Sequence, residues 1–479
     1  MANNITQDFP DIVADESKLK KIRGTEKNLY APFSNIPFES LRSAFGIALH
    51  MHQPTIPASS DNLKESELIS NLQYMMEHPH IGDNHNAPVF RNCYRRMADI
   101  IPELVRDGKN PRVMLDYSGN LLWGLHQMEG GRVLEDLKRI TVDQKYFPHV
   151  EWLGTMWGHA VASSTPIPDI KIQIQSWLQH FGSIFGDEAL ARVKGFSPPE
   201  MHLPIHPDVC YEYVKALKEC GYQWLLVQEH TIQNLDGSGI RRPHFPHRLV
   251  AKNSLGEIQD ITVLIKTQGS DTKLVAQMQP FYEAKTRARE DYQGRNIPPY
   301  VVQIGDGENG GVMMNEFPPA YRVAFDQIGT EGTVCMNGSE YLEVIKLKTG
   351  IKESDFIPVQ PVLQNRVWEF VKKFGPGAAE PAIEAAKQKY HDFNLDRASW
   401  TSNINWVKGY ENVLDPMNKL SVAFHQRFVN QPQEKKNERY HQALLYLLCS
   451  QTSCFRYWGQ GLWTDYAREI CHRGMELLR

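Results

Sequence analysis

Several features that would mark a membrane, secreted or nucleic-acid-binding protein are missing. No stretch approaches the ~20 consecutive apolar residues that a membrane-crossing helix needs. Met1 to Tyr30 is polar and charged and holds no apolar core, which reads against a secretory leader. Cysteine is scarce: seven residues, an odd number, with no C-x-x-C pair. Cys449 and Cys454 stand five apart and the others are scattered. That pattern fits reduced thiols in the cytoplasm, not a disulfide framework or a cysteine-bound zinc. Basic residues form no long cluster, and the formal net charge is −4. Neither nucleic acid nor an anionic membrane surface is therefore an expected partner. There is no internal repeat and no low-complexity segment, and oligomeric state is not legible here.

What is present is the composition of a globular protein, 41% hydrophobic and 23% charged over 479 residues. That length suits one large barrel with an appendage, or two to three ordinary domains. Ten Trp, 19 Tyr and 20 Phe are enough to stack on sugar faces, although most such rings fill cores.

The chain is organised around Phe45-Gly-Ile-Ala-Leu-His-Met-His-Gln-Pro54. Ile47, Ala48 and Leu49 form an unalternating apolar run, as in a strand buried on both faces. The run ends in His50, His52 and Gln53. Val193–Phe196 likewise opens onto Ser197-Pro-Pro-Glu200-Met-His202, and Val301–Ile304 onto Gly305-Asp306-Gly-Glu308-Asn309. Delivering polar side chains at carboxyl ends of buried strands is how a β/α barrel builds a site.

Further strands are expected at Val113–Leu115, Val150–Leu153, Trp224–Val227, Val263–Ile265 and, last, Val334–Met336. Helices are expected between them, at Asn86–Val105, Leu121–Gly130, Asp169–Phe185, Asp208–Cys220, Lys273–Met278 and Ser339–Lys348. This alternation predicts a mostly parallel sheet, and its length favours a barrel. After about residue 360 the spacing predicts helices alone: Val367–Phe374, Pro381–Phe393, Ala398–Tyr410, Lys419–Val429 and Glu438–Leu448. The domain reading is a lead-in over 1–40, a barrel over 41–360 and an all-α domain over 361–479.

Glu200 and Asp306 supply the two carboxyls that glycosidic cleavage needs, one to protonate the leaving oxygen and one to attack or activate water. Pro198-Pro199 fixes the backbone before Glu200, and Gly305 and Gly307 leave room beside Asp306. His50-x-His52 is also how many zinc hydrolases begin a site, with His159, His202, His206 and Asp306 available to complete it. A zinc-dependent amidohydrolase or deacetylase is thus a second reading. A non-catalytic glucan-binding barrel is a third.

Together these residues resemble glycoside hydrolase family 57, the α-amylase and 4-α-glucanotransferase-like group. The resemblance rests on His52-Gln53-Pro54 after the first strand, and on Glu200 in Gly195-Phe-Ser-Pro-Pro-Glu-Met. It rests also on Asp306-Gly-Glu308-Asn309, on the region Glu151–Pro168, and on Gln451–Tyr466 near the C-terminus. It covers about residues 43–470. It implies an α/β fold, an incomplete seven-stranded parallel β/α barrel with an all-α C-terminal domain. It implies retaining chemistry on α-glucans with no catalytic metal or other cofactor. Glu200 would be the nucleophile and Asp306 the acid/base, while His50, His52, Gln53, His159, His202 and Glu308 would hold substrate. From the helical domain Tyr457 and Trp458 would stack on sugar. Two departures stand out. Ser197 occupies the place, three before the nucleophile, where a Trp is common. In the helical motif Cys454 and Tyr457 replace an Asp and a Trp, with Trp458 next.

Overall fold

The computed structural model describes residues 9–24, 27–58, 62–128, 131–267, 272–308, 310–328, 332–401, 405–430 and 437–479. Seven parallel strands form a ring in chain order. They are β1 (Ser43–Met51), β2 (Val113–Tyr117), β3 (Val150–Trp152), β4 (Gly195–Phe196), β5 (Trp224–Gln228), β6 (Ile258–Lys266) and β7 (Tyr300–Asp306). β3 meets β4 through one parallel bridge, Gly154 to Phe196. The Gly154 N–H donates to Gly195 O at 2.9 Å, and the Ser197 N–H to Gly154 O at 2.8 Å. β7 returns to β1 and closes the ring.

The apolar runs follow from burial on both faces. Along β1, Phe45, Ile47 and Leu49 pack into the outer core beneath the helices. Ala44 and Ala48 turn the other way, toward Met114, Trp224, Leu226, Leu264, Tyr300 and Val302. The lumen is crowded there: a Cβ at Gly46 would sit 2.0 Å from Tyr300 Oη, so only glycine fits.

The amino ends of the strands are plugged. An eighth short strand, β8 (Thr333–Cys335), lies parallel to the first residues of β1. It leads to the helix Gly338–Thr349, where the Asn337 N–H donates to Glu340 Oε2 at 3.3 Å. Tyr341, Leu342, Val344 and Ile345 of this helix join the lumen cluster. Trp224 Nε1 donates to Ser339 Oγ at 2.9 Å. The Ser339 N–H and hydroxyl both donate to the buried Glu151 carboxyl.

Burial nevertheless lifts Glu151 to a pKa of about 8, against the pull of the Ser339 bonds. The folded state therefore keeps a proton that the unfolded chain has already released. The contribution is complete below the unfolded carboxyl range and is lost as pH rises through about 8. Wild type should lose stability between about pH 5 and 8, and Glu151→Gln should remove a few kcal/mol of that loss. Identical pH dependence in denaturant melts of the two proteins would contradict it.

The structure departs from the expected elements at several places, and the helix expected over Val367–Phe374 is instead the short Gln364–Trp368. The long helix over 86–105 is two, Ala87–Arg95 and Met97–Arg106. The break falls at Arg96, whose buried guanidinium donates to the carbonyl oxygens of Met313 and, at 2.6 Å, Gly307. Between β5 and β6 the chain adds two unexpected strands, Ile232–Asn234 and His247–Lys252, the second antiparallel to β6. Val334–Met336 is not the last strand, because Ile357–Pro361 follows and pairs with both additions. The helix expected over Ala398–Tyr410 is absent among the described residues of that span. Gly130, the expected end of the helix from Leu121, and Asn309 lie outside the described residues.

The C-terminal helices Glu411–Asn430, Glu438–Ser450 and Leu462–Leu478 bury Leu420, Phe424, Leu444, Leu447, Leu448 and Ile470. They dock on the barrel through polar contacts. Asp169 accepts from Gln451 Nε2 at 2.6 Å and meets His425 Nε2 at 2.5 Å. The Ser453 N–H donates to His159 O at 3.0 Å. No helix of the described residues is long and apolar enough to cross a membrane. All seven cysteines are free thiols.

Candidate active site

Parallel register builds the first part of the site. His50 on β1 lies opposite Asp116 on β2 and Asp306 on β7. Partners in adjacent parallel strands point to the same face, so the three form a row across the carboxyl ends of the strands. His50 Nδ1 is 2.8 Å from Asp116 Oδ2, and its Nε2 is 2.9 Å from His159 Nε2. Burial opposes the charge on His50, but Asp116, Asp306 and Glu308 outweigh it and lift the pKa to about 10. His50 is an imidazolium at neutral pH.

Glu200 is delivered differently. It follows Pro198-Pro199 and adopts φ 58°, ψ 20°, a left-handed conformation costly for a residue with a Cβ. His159 (φ 55°), Met201 (φ 47°) and Ala398 (φ 93°) share that sign. Four of the seven such non-glycine residues in the described chain thus gather at this site. Trp400 secures the conformation. Its N–H donates to Glu200 O at 2.8 Å and its indole Nε1 to Glu200 Oε2 at 2.8 Å, while the Leu203 N–H donates to Ala398 O at 3.0 Å. Residues 398–401 of the span where a helix is expected are thus irregular backbone laid against the Glu200 turn. Burial raises the Glu200 pKa, Asp306 adds to the rise, and hydrogen bonds from Ser453 and Trp400 oppose it.

A cavity of about 930 Å³ opens over these groups. Its wall includes His50, His52, Gln53, His159, Glu200, Asp306, Glu308, Tyr457 and Trp458, nine of the ten residues singled out from sequence. His202 is the exception. It is 1% exposed, lies behind the wall, and its ring nitrogens have no hydrogen-bond partner among the described residues. Burial first, and then Arg456, lowers its pKa to about 3.

The other histidines are tightly held. His52 stacks on His159 with centroids 4.0 Å apart, and its nitrogens meet Ser118 Oγ at 2.7 Å and Thr452 Oγ1 at 3.2 Å. Burial and the neighbouring His50 push its pKa well down. Gln53 donates to Tyr94 Oη and accepts from Asn71 Nδ2, both at 3.0 Å. His206 turns away to Glu380 at 3.1 Å. Among the described residues, no three His, Cys, Asp or Glu side chains are placed to hold a metal ion. The zinc reading of His50-x-His52 therefore finds no donor set there.

Glu308 accepts the His52 N–H on Oε1 at 3.1 Å, and its Oε2 has no partner among the described residues. Burial and Asp306 push its pKa up to about 8.

Sequence reasoning missed Trp400, Ser453, Asp116 and Lys266, all of which shape the site. Asp116 and Lys266 carried a signal, since each ends an apolar strand run. Trp400 and Ser453 carried none, because their roles depend on docking of distant segments. Ser197 and Cys454 also line the cavity. Burial pushes the Cys454 thiol up to about 12, so it adds no charge to the wall.

The fold is similar to three solved enzymes. The 4-α-glucanotransferase of Thermococcus litoralis aligns with TM-score 0.56 at 17% identity, over 91% of this chain and 60% of that one. The branching enzyme of Thermococcus kodakaraensis, in complex with glucose, gives 0.54 at 12%, over 90% and 88%. An α-amylase of Thermotoga maritima gives 0.52 at 10%, over 91% and 93%. This chain therefore spans less than two thirds of the glucanotransferase, and at such identities the likeness is one of fold. No curated protein matches the sequence. The sequence model of Glycosyl hydrolase family 57 matches residues 5–255, more than half of the chain. On that match, joined to the seven-stranded barrel and its helical docking, the chain belongs to glycosyl hydrolase family 57.

Proposed function

We propose that this protein is a retaining glycoside hydrolase or glucanotransferase acting on α-1,4-linked glucan. The observation that carries the reading is that Glu200 and Asp306 line one cavity at the strand ends. Glu200 attacks the anomeric carbon as the glycosidic C–O bond breaks. Asp306 gives its proton to the leaving oxygen, which departs as an alcohol. A glycosyl-enzyme remains. Asp306, now a carboxylate, takes a proton from water or an acceptor hydroxyl, whose oxygen attacks the anomeric carbon and frees Glu200. His50 and Glu308 hold the ring at the cleavage point, with His52, Gln53 and His159 behind them. The three-part division at 1–40, 41–360 and 361–479 belongs to the same proposal. So does a cytoplasmic location, which the seven free thiols support.

Product analysis on α-glucans and α-galactosides, with the first-formed anomer read by NMR, tests this. Release of α-anomers from α-glucans is expected. First-formed β-anomers would establish inversion and overturn it.

Tyr457 and Trp458 are 46% and 56% exposed, and Phe455 is the ring of that segment that enters the core. Tyr457 and Trp458 meet edge to face at 4.8 Å. They form a platform at the cavity mouth. Trp458→Ala should raise KM about tenfold, the loss of a ~1–2 kcal/mol stacking contact, with little change in melting temperature. A destabilised variant with unchanged KM would defeat the platform.

A further inference from the structure

A line of four side chains runs from the barrel wall to Glu200. Asp116 Oδ2 is 2.8 Å from His50 Nδ1, and His50 Nε2 is 2.9 Å from His159 Nε2. His159 Nδ1 is 2.8 Å from Ser453 Oγ, and the Ser453 hydroxyl is a neighbour that favours the charged form of Glu200. His159 Nδ1 itself stands 3.9 Å from Glu200 Oε1, so the serine bridges a gap too long for a direct bond.

Proton counting gives the line one direction. Two ring nitrogens at 2.9 Å share a single proton. His50 is an imidazolium, so both its nitrogens donate, one to Asp116 and one to His159. His159 then accepts on Nε2 and must carry its own proton on Nδ1, which points at Ser453 Oγ. With its lone pair so engaged, the Ser453 hydroxyl is left to donate to Glu200. Were the shared proton on His159 instead, His159 Nδ1 would be bare and would take the serine proton, and Glu200 would lose a donor.

We propose that Asp116, His50, His159 and Ser453 form a one-directional hydrogen-bond chain that keeps Glu200 ionised and oriented, with Ser453 and His159 as positioning residues. The proposal rests on Glu200 as the nucleophile. The other groups facing Glu200 are Asp306, Arg456, Cys454 and the Trp400 indole. Asp306 opposes ionisation, Arg456 favours it, and the buried Cys454 thiol is neutral. Ser453 belongs to the segment that follows the helix Glu438–Ser450, so docking of the helical part completes the nucleophile.

The test needs no substrate in its first arm. In protein carrying ¹⁵N-histidine, with His50→Asn and His159→Asn to assign signals, His50 should be doubly protonated at pH 7 and His159 protonated on Nδ1 alone. A neutral His50, or a proton on His159 Nε2, would overturn the direction. In the second arm, carboxyl ¹³C NMR follows Glu200, with Glu200→Gln identifying its signal. Ser453→Ala should move the Glu200 titration up by about one pH unit, the loss of a hydrogen bond to a charged acceptor, and Ser453→Thr should restore it. An unmoved titration in Ser453→Ala would overturn the chain. Retained turnover in Glu200→Gln would instead defeat the nucleophile reading, so the two failures are distinct.

Discussion

Glu200→Gln is expected to lower turnover at least ~10³-fold, the effect of removing a principal catalytic group. An amide has no charge with which to attack the anomeric carbon. It keeps the shape, and its oxygen can still accept from the Trp400 indole, so the left-handed turn should survive. Burial opposes the charge of Glu200 and raises its pKa, so the neutral variant should melt at or above the wild-type temperature. It should bind oligosaccharide as wild type does. Retention of most activity would sink the nucleophile assignment. Loss of activity together with a falling melting temperature would show that the substitution broke the turn and not the chemistry.

Asp306→Asn should separate the two carboxyls by role. On an ordinary glucan the leaving alcohol needs a proton, so the variant should lose ~10²–10⁴-fold in kcat/KM. An aryl glycoside with an acidic phenol leaves without help, so formation of the glycosyl-enzyme should be nearly intact. The intermediate should then accumulate, because no base remains to activate water. Added azide should discharge it as a glycosyl azide of unchanged anomeric configuration. Equal losses on glucan and aryl glycoside would remove Asp306 from the acid/base role.

The legible part of the site was the part made by strands. His50 and Asp306 end apolar runs that must lie inside a parallel sheet, and register then sets them side by side. Glu200 was legible through its motif, but its conformation was not. Nothing in Ala398-Ser-Trp-Thr401 announces that this span abandons a helix to clasp a turn 200 residues earlier. The break at Arg96 was hidden for a similar reason, since the apolar spacing continues across it while the guanidinium serves carbonyls near Met313. His202 looked like part of the site because it is two residues from Glu200. The left-handed residues Glu200 and Met201 send the chain behind the wall before it is reached.

The Trp400 clasp also divides the cavity wall into two halves with different freedom to vary. Trp400 faces the cavity and holds Glu200 by its indole and its backbone. A change of substrate preference sought at that position would disturb the chemistry together with the fit. Tyr457 and Trp458 carry no such double duty, being exposed rings that meet one another at the mouth. Redesign for a longer, branched or differently linked chain is therefore best begun at Tyr457 and Trp458, where a new preference leaves the catalytic step as it was.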